Sequence, residues 1–339
     1  MIQPKADYKW DAYDSKKNDV AGHVECTFNV EEESWTAPRF VRSPFLSIHG
    51  LAPGLNYGNL VTKSSSSRRS PDGEILIFRP EANAARLKRS ATFLSIPDVP
   101  EKLFLESVQL AVRFNAEYVC PHNVNGSLYI RPLLFGSGVQ IGLEPLTTSR
   151  SAFTFNHISL SMATVIDDFD RAATRGSGAV KVGGNYAPVM RWTCFAKQSG
   201  YNVLLHLDSQ TQTEIDEFST SGFIGIRHDE HQTTLVVADS KAAIDSITSD
   251  SAAKLARSLG WTVEKRVVRF NELATFSEVL AAGTAAGLVP VSYIRRESTN
   301  QTFDFLPDGP HYQKLWTKLQ GIQNGTLEDE FKWCTKLVE

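Results

Sequence analysis

The stretch Gly178-Ala-Val-Lys-Val-Gly-Gly-Asn-Tyr186 constrains this chain more than any other. One lysine, Lys181, sits among small and apolar residues and is followed by a glycine pair, an asparagine and a tyrosine. Apolar crowding favours the neutral amine, which is the nucleophilic form. Such an amine can form a Schiff base with an aldehyde cofactor such as pyridoxal phosphate. Glycines at 183 and 184 let backbone approach a flat ring, and Tyr186 offers a phenolic donor to an oxygen on it. Read alone, the segment also fits an ordinary strand-to-loop junction.

Bulk properties exclude several classes of function. At 339 residues the chain is long enough for two domains. A hydrophobic content of 42% with 10% aromatics is that of a globular protein. The formal charge of -3 gives no electrostatic reason to expect nucleic acid or an anionic membrane as partner. No apolar run is long enough to cross a bilayer. The first residues mix Lys5, Lys9, Lys16 and Lys17 with Asp7, Asp11, Asp14 and Asp19, unlike a secretory or transit signal, so a cytoplasmic location is expected. Cys26, Cys120, Cys194 and Cys334 lie far apart without metal-ligand spacing and read as buried free thiols, and no metal is expected.

Along the chain, residues 1–45 form a polar lead-in, and the Pro- and Gly-rich run Pro44–Gly58 marks a loop. The serine run Ser64–Ser67 is a poor strand, read either as a flexible loop or as a remodelled pocket wall. Asp72-Gly73 signals a hairpin leading into a strand at 75–78. The spacing of Leu103, Phe104, Val108, Leu110, Ala111 and Phe114 predicts a helix over 101–114. Alternation predicts a strand over 127–136, with Tyr129 and Arg131 on one face. Gly136-Ser-Gly138 lacks the strand–helix context of a nucleotide loop. A change of texture places an interdomain linker at 159–168, between a small α/β domain over 1–158 and a large domain over 169–339. Within the latter, helices are expected at 185–200, 250–259 and 309–323, and strands at 203–207, 234–238 and 267–270.

Taken in order, Pro44–Gly58, Phe78–Ala91, Tyr129-Ile-Arg-Pro132, Lys181-Val-Gly-Gly-Asn-Tyr186, Thr213–Phe223, Ala281–Val291 and Ile322-Gln-Asn-Gly325 resemble the branched-chain-amino-acid aminotransferases, in particular the fungal type. These are fold-type IV enzymes that use pyridoxal 5'-phosphate, and the resemblance covers roughly residues 44 to 325. It implies a two-domain α/β fold and a homodimer, because the family's active sites form with a loop from the partner. It implies that Lys181 carries the cofactor and then serves as general base. Arg86 matches the phosphate-binding arginine, although Arg86, Lys88 and Arg89 also fit a solvated helix face. Ile247, Thr248 and Thr284 match the remaining phosphate ligands, and Tyr186 the donor to the ring. Glu217 matches the glutamate that keeps the ring nitrogen protonated, with Glu214 and Asp216 as competing acids of a strand end. Tyr57, Tyr129, Arg131, Thr284 and Ala285 match substrate-binding positions, a structural salt bridge being the other reading for Arg131. The reaction implied moves an amino group between a branched-chain L-amino acid and 2-oxoglutarate in two half-reactions.

The chain departs from the family pattern at three places. Thr62-Lys63-Ser64 stands where Phe-Glu-Gly is expected, Gly222 where Asn is, and Asp245, Ser246 and Ser249 where Pro, Gly and Arg are. Three readings follow: a branched-chain enzyme, a secondary-metabolism aminotransferase with another amine donor, or a non-catalytic binding or regulatory protein. The Tyr129-Ile-Arg-Pro132 string disfavours the D-amino-acid transferases and aminodeoxychorismate lyases that share the fold.

Overall fold

The computed structural model describes residues 2–6, 8, 10, 20–124, 126–140, 149–150 (main chain only) and 161–338. The chain divides into two compact units, one made of 1–157, 181–183 and 320–339, the other of 158–180 and 184–319.

The first unit contains β1 (Leu60–Thr62), β2 (Ser65–Arg69), β3 (Ile75–Phe78), α1 (Pro80–Phe93), α2 (Glu101–Phe114), β4 (Leu128–Ile130) and β5 (Leu133–Gly136). A four-stranded antiparallel sheet runs Cys334–Lys336, β3, β2, β4, and a three-stranded one runs Ser149–Arg150, β5, β1. The serine run, expected as a loop or pocket wall, is the buried interior strand β2. Its neighbours supply the apolar surface it lacks: Ser67 lies opposite Ile77 and Leu128, and Ser65 opposite Ile130. Ser65 Oγ donates to the Phe78 carbonyl at 3.2 Å, so the hydroxyl is satisfied inside the fold. Gly73, at φ +84°, closes the β2–β3 turn that Asp72-Gly73 signals. The single strand expected over 127–136 is two, because Arg131-Pro132 interrupts it and proline has no N–H for a ladder. The lead-in carries a small pairing of His23–Glu25 with Arg39–Val41.

The second unit contains β6 (Ser161–Val165), α3 (Val189–Gln198), β7 (Val203–Leu207), β8 (Ile215–Phe218), β9 (Gly222–His228), β10 (Thr233–Ala238), α4 (Ile247–Ser258), β11 (Thr262–Arg266), β12 (Glu278–Gly283), β13 (Gly287–Arg296) and β14 (Gln301–Asp304). One mixed nine-stranded sheet runs β8, β7, β6, β13, β12, β9, β10, β11, with β14 also on β13. Its core packs Leu205, Phe218, Phe223, Val236, Phe276 and Val291, each side chain contributing about 1.5–3 kcal/mol by leaving water. Ser161–Val165, inside the expected linker, is β6, parallel to both β7 and β13, so that stretch is sheet interior. The C-terminal helix Pro310–Gln323 starts in this unit, but residues from 320 onward belong to the first unit rather than to the expected 169–339 domain. Residues 267–270 are not a regular strand. The Ile215 N–H donates to the Val268 carbonyl and the Phe270 N–H to the Thr213 carbonyl, leaving only an isolated Glu214–Arg269 bridge before a 3-10 turn. Cys26 and Cys120 are buried free thiols, whereas Cys194 on α3 is exposed. Among the described residues no helix is long and apolar enough to cross a membrane, and no group of side chains is arranged to hold a metal.

Candidate active site

Lys181, Val182 and Gly183 are held in the first unit by main-chain contacts. The Thr62 N–H donates to the Lys181 carbonyl at 3.0 Å, and Val61 bridges Val182. The Lys181 N–H donates to Ser90 Oγ at 3.0 Å, which ties the segment to α1. A side chain at Gly183 would meet Leu60 Cδ2 at 2.9 Å, so glycine is what lets the segment lie against β1. The helix α1 also carries Arg86, which is buried. It starts from Arg79, itself in the left-handed region at φ +47°, and Asn83 Nδ2 bonds the Arg79 carbonyl at 2.7 Å to steady that start.

Between β1 and β2 lies Lys63, whose side chain is 1% exposed and whose Nζ has no hydrogen-bond partner. Burial holds its amine well below the usual lysine range, and the charges of Arg86, Lys181 and Arg89 depress it further. Tyr129 and Arg131 share a face as their spacing predicts: Arg131 Nη2 donates to Tyr129 Oη at 3.2 Å and the guanidinium lies 5.0 Å from the ring centroid. Tyr57 ends the short helix Pro53–Asn56 and is 50% exposed.

In the second unit Glu217 lies on β8, and its Oε1 accepts from Arg171 Nη2 at 2.7 Å. Both side chains are buried, at 6% and 1% exposure. Arg171 also bonds the Ala242 and Gly178 carbonyls, and a side chain at Gly178 would collide with the Ala242 oxygen at 2.2 Å. Glu217 pairs across the ladder with His206, whose Nε2 lies 2.8 Å from Ser219 Oγ. Burial, with a smaller push from Arg171, drops the His206 pKa to about 3, so the ring stays neutral beside that ion pair. Asp216 points elsewhere along the strand, bonded by Ser240 and raised by burial. Glu214 is the acid nearer the surface, part of the turn that Asp208 caps at 2.8 Å.

Three further segments converge in this unit. The helix α4 begins three residues earlier than expected, capped by Ser246, whose Oγ accepts the Ser249 N–H at 3.1 Å. Thr248 is buried in its first turn beside Ile247. Ser246 Oγ also donates to the Ala282 carbonyl at 3.3 Å, linking the helix start to the β12–β13 turn that holds Thr284 and Ala285. A side chain at Gly283 would meet Ser221 Oγ at 2.8 Å, and one at Gly222 would meet Ser249 Oγ at 2.7 Å. Ser246 and Ser249 thus lie against Gly222, in the space a side chain at 222 would need in this chain. Asp245, largely exposed, is paired with Lys265 at 3.2 Å, which offsets its charge next to the helix start. A cavity of about 370 Å³ opens here, lined by Glu217, Gly222, Ser246 and Ser249 among others; Thr248 and Thr284 do not line it. In the lysine segment, Asn185 Nδ2 clasps the Ser177 and Val180 carbonyls at 2.7 and 2.9 Å. Tyr186 follows directly, half-buried.

These residues fit pyridoxal phosphate. A helix N-terminus carries a buried hydroxyl, Ser249 Oγ, with no hydrogen-bond partner, as a phosphate cradle requires. The second unit also offers the Glu217 carboxylate paired with Arg171, and the first unit separately carries a buried arginine, Arg86, and the Lys181 amine, which are residue types the group needs. Sequence reasoning did not single out Arg171, Ser90 or the Lys63 amine as parts of a site. Arg171 lies in Asp167-Asp-Phe-Asp-Arg, next to the supposed linker, and nothing in the local pattern marks it.

Residues 16–294 match the family model described as amino-transferase class IV. The chain is 55% identical to the aminotransferase TOXF of Cochliobolus carbonum, over 97% of this chain and 96% of that protein. It is 44% identical to the branched-chain amino acid aminotransferase gloG of Glarea lozoyensis, over 99% of this chain and 98% of that protein. Among solved structures, the branched-chain aminotransferase of Thermobaculum terrenum in its pyridoxal-phosphate form aligns with a TM-score of 0.77 at 21% identity, over 95% of this chain and all of that one. The Escherichia coli branched-chain enzyme aligns at 0.76 and 23%, over 94% of this chain and all of that one.

Proposed function

Since the chain belongs to the class IV aminotransferases, fold-type IV enzymes dependent on pyridoxal phosphate, we propose that it moves an amino group between a branched-chain L-amino acid and 2-oxoglutarate. The observation that carries this reading is the placement of Lys181 by Thr62 and by Ser90, on the same helix as Arg86. When bound, the cofactor supplies an aldehyde that captures the substrate amine and a ring that accepts the electron pair of the α-carbon. Lys181 would carry the cofactor and, once its amine is freed, would take the substrate α-proton and deliver it to the former aldehyde carbon. Arg86, Ile247, Thr248 and Thr284 would hold the phosphate. Glu217, paired with Arg171, would hold a proton on the ring nitrogen, and Tyr186 would donate to the ring oxygen. Tyr129, Arg131 and the N–H groups at Thr284 and Ala285 orient the substrate carboxylate, with Tyr57 shaping the pocket. The exposed Phe45, Leu55 and Tyr57 support a homodimer in which this loop meets a second copy.

A second reading, an aminotransferase for a different amine donor, is favoured by the polar run Thr62–Ser66 where the family has Phe-Glu-Gly. Relatives carrying the general name aminotransferase, at 55% and 50% identity, support keeping it.

The test is an absorption spectrum of the protein with pyridoxal phosphate before and after L-leucine, L-isoleucine, L-valine and L-glutamate. A lysine-linked cofactor band that bleaches with a branched L-amino acid, and that Lys181→Ala lacks, is expected. A band that bleaches only with other amines selects the second reading. A wild-type protein showing no band overturns both.

A further inference from the structure

Among the described residues of the first unit's basic cluster, Lys63 has a terminal nitrogen that is fully enclosed and has no hydrogen-bond partner. Its main chain is fixed: the Lys63 N–H donates to the Pro132 carbonyl at 2.9 Å, and the preceding residue bonds Lys181. The groups that act on it electrostatically are Arg86, Lys181 and Arg89, all cations, and no carboxylate is among them. An isolated buried ammonium is costly, and a buried amine with no partner forfeits its hydrogen bonds as well. Fold stability alone gives no reason to keep a lysine there, since an apolar side chain of similar volume would serve it better. An ammonium offers three donors and no acceptor, so what completes it is an acceptor-rich anion.

We propose that Lys63 is an oxyanion-binding residue of the site, pairing with a phosphate or carboxylate oxygen that the bound ligand brings next to Arg86 and Lys181. The inference rests on the pyridoxal-phosphate reading for the identity of the ligand, though not for the existence of the anion site. Two sources share this chemistry, the cofactor phosphate and a carboxylate of the substrate. The anion adds an attractive partner among three repulsive neighbours, which favours the charged form of Lys63 and shares the negative charge between Lys63 and Arg86. The Phe-Glu-Gly of the family would place an acid at this position, so the reversal of sign at 63 changes what the pocket selects.

Three titrations on the full chain test it, with wild type, Lys63→Met and Lys63→Arg compared. Inorganic phosphate is titrated into the cofactor-free protein by calorimetry, pyridoxal phosphate is titrated against unphosphorylated pyridoxal, and glutarate is titrated into the holoenzyme. If Lys63 meets the phosphate, Lys63→Met weakens inorganic phosphate and pyridoxal phosphate about 10- to 100-fold and leaves pyridoxal unchanged. If it meets a substrate carboxylate, only glutarate weakens by that factor. In either case Lys63→Arg recovers most of the loss, and Lys63→Met melts at the same or a higher temperature without ligand. A folded Lys63→Met protein that binds all three anions as wild type does overturns the proposal. Lys63→Gln carries the same comparison should the methionine variant fail to fold. A wild-type protein that binds inorganic phosphate through Lys63 yet forms no lysine-linked cofactor would defeat the aminotransferase reading and leave this one standing.

Discussion

Arg171 and Glu217 form an ion pair at 2.7 Å in which both side chains are sealed from solvent. The pair fixes the Glu217 carboxylate, and it is expensive to break from one side. Arg171→Met strands Glu217 as a buried charge and is expected to cost about 3–5 kcal/mol of stability. Urea unfolding of Arg171→Met beside Arg171→Met/Glu217→Gln measures this. The double variant should recover part of the loss, and equal stabilities for the two would show that the charge is not stranded.

His206 sits directly across the ladder from Glu217 and remains neutral in the fold because its pKa falls to about 3. In the unfolded chain the ring titrates near 6.5, so between those values the unfolded state holds the extra proton and stability falls as pH falls. At pH 5 the contribution lost relative to pH 7.5 is about 2 kcal/mol. Melting temperatures of wild type and His206→Gln from pH 7.5 to 5 should show a shallower slope for the variant. Parallel slopes would remove His206 from the acid sensitivity of the fold.

Gly222 and Ser249 are expected to behave as one substitution. A Cβ at 222 would lie 2.7 Å from Ser249 Oγ and 3.1 Å from Ser246 Cβ. Gly222→Ala should destabilise by about 1–3 kcal/mol in the native background. In a Ser249→Gly background the same change should be nearly neutral. Denaturant midpoints of the four proteins give the coupling energy, and strict additivity would contradict the shared space.

Ser90 is enclosed, and its hydroxyl receives the Lys181 N–H at 3.0 Å. Ser90→Ala leaves that N–H without its partner, a loss of about 1–3 kcal/mol. Local stability, read as exchange of the Lys181 amide, should drop while Ser90→Thr retains most of it. Unchanged exchange in Ser90→Ala would show that the main chain alone holds the lysine.

Segments with strong local signatures were legible in the sequence. The apolar spacing of 101–114 gives α2, Asp72-Gly73 gives the β2–β3 turn, and the parity of Tyr129 and Arg131 gives their contact. What local pattern could not show was set by neighbours far along the chain. Ser65–Arg69 is a strand because β3 and β4 flank it, and serine carries no mark of its future partners. Residues 161–165 read as a linker because β6 takes its bonds from β7 and β13, whose sequences lie 40 and 130 residues away. The importance of Arg171 depends on where Glu217 and the 178 and 242 carbonyls come to lie, which no one-dimensional spacing records.

The main chain at Lys181 is held through peptide groups as well as the Ser90 hydroxyl: the Thr62 N–H meets the Lys181 carbonyl, and Val61 bridges Val182. Peptide groups are the same whatever side chain the residue bears. The Lys181 amine is thus carried on a main chain whose own contacts do not depend on it. Chemistry at position 181 can be deleted or exchanged while its address in the fold persists, which gives an ancestor of this chain a route to shed or retool its reaction without first relearning how to fold.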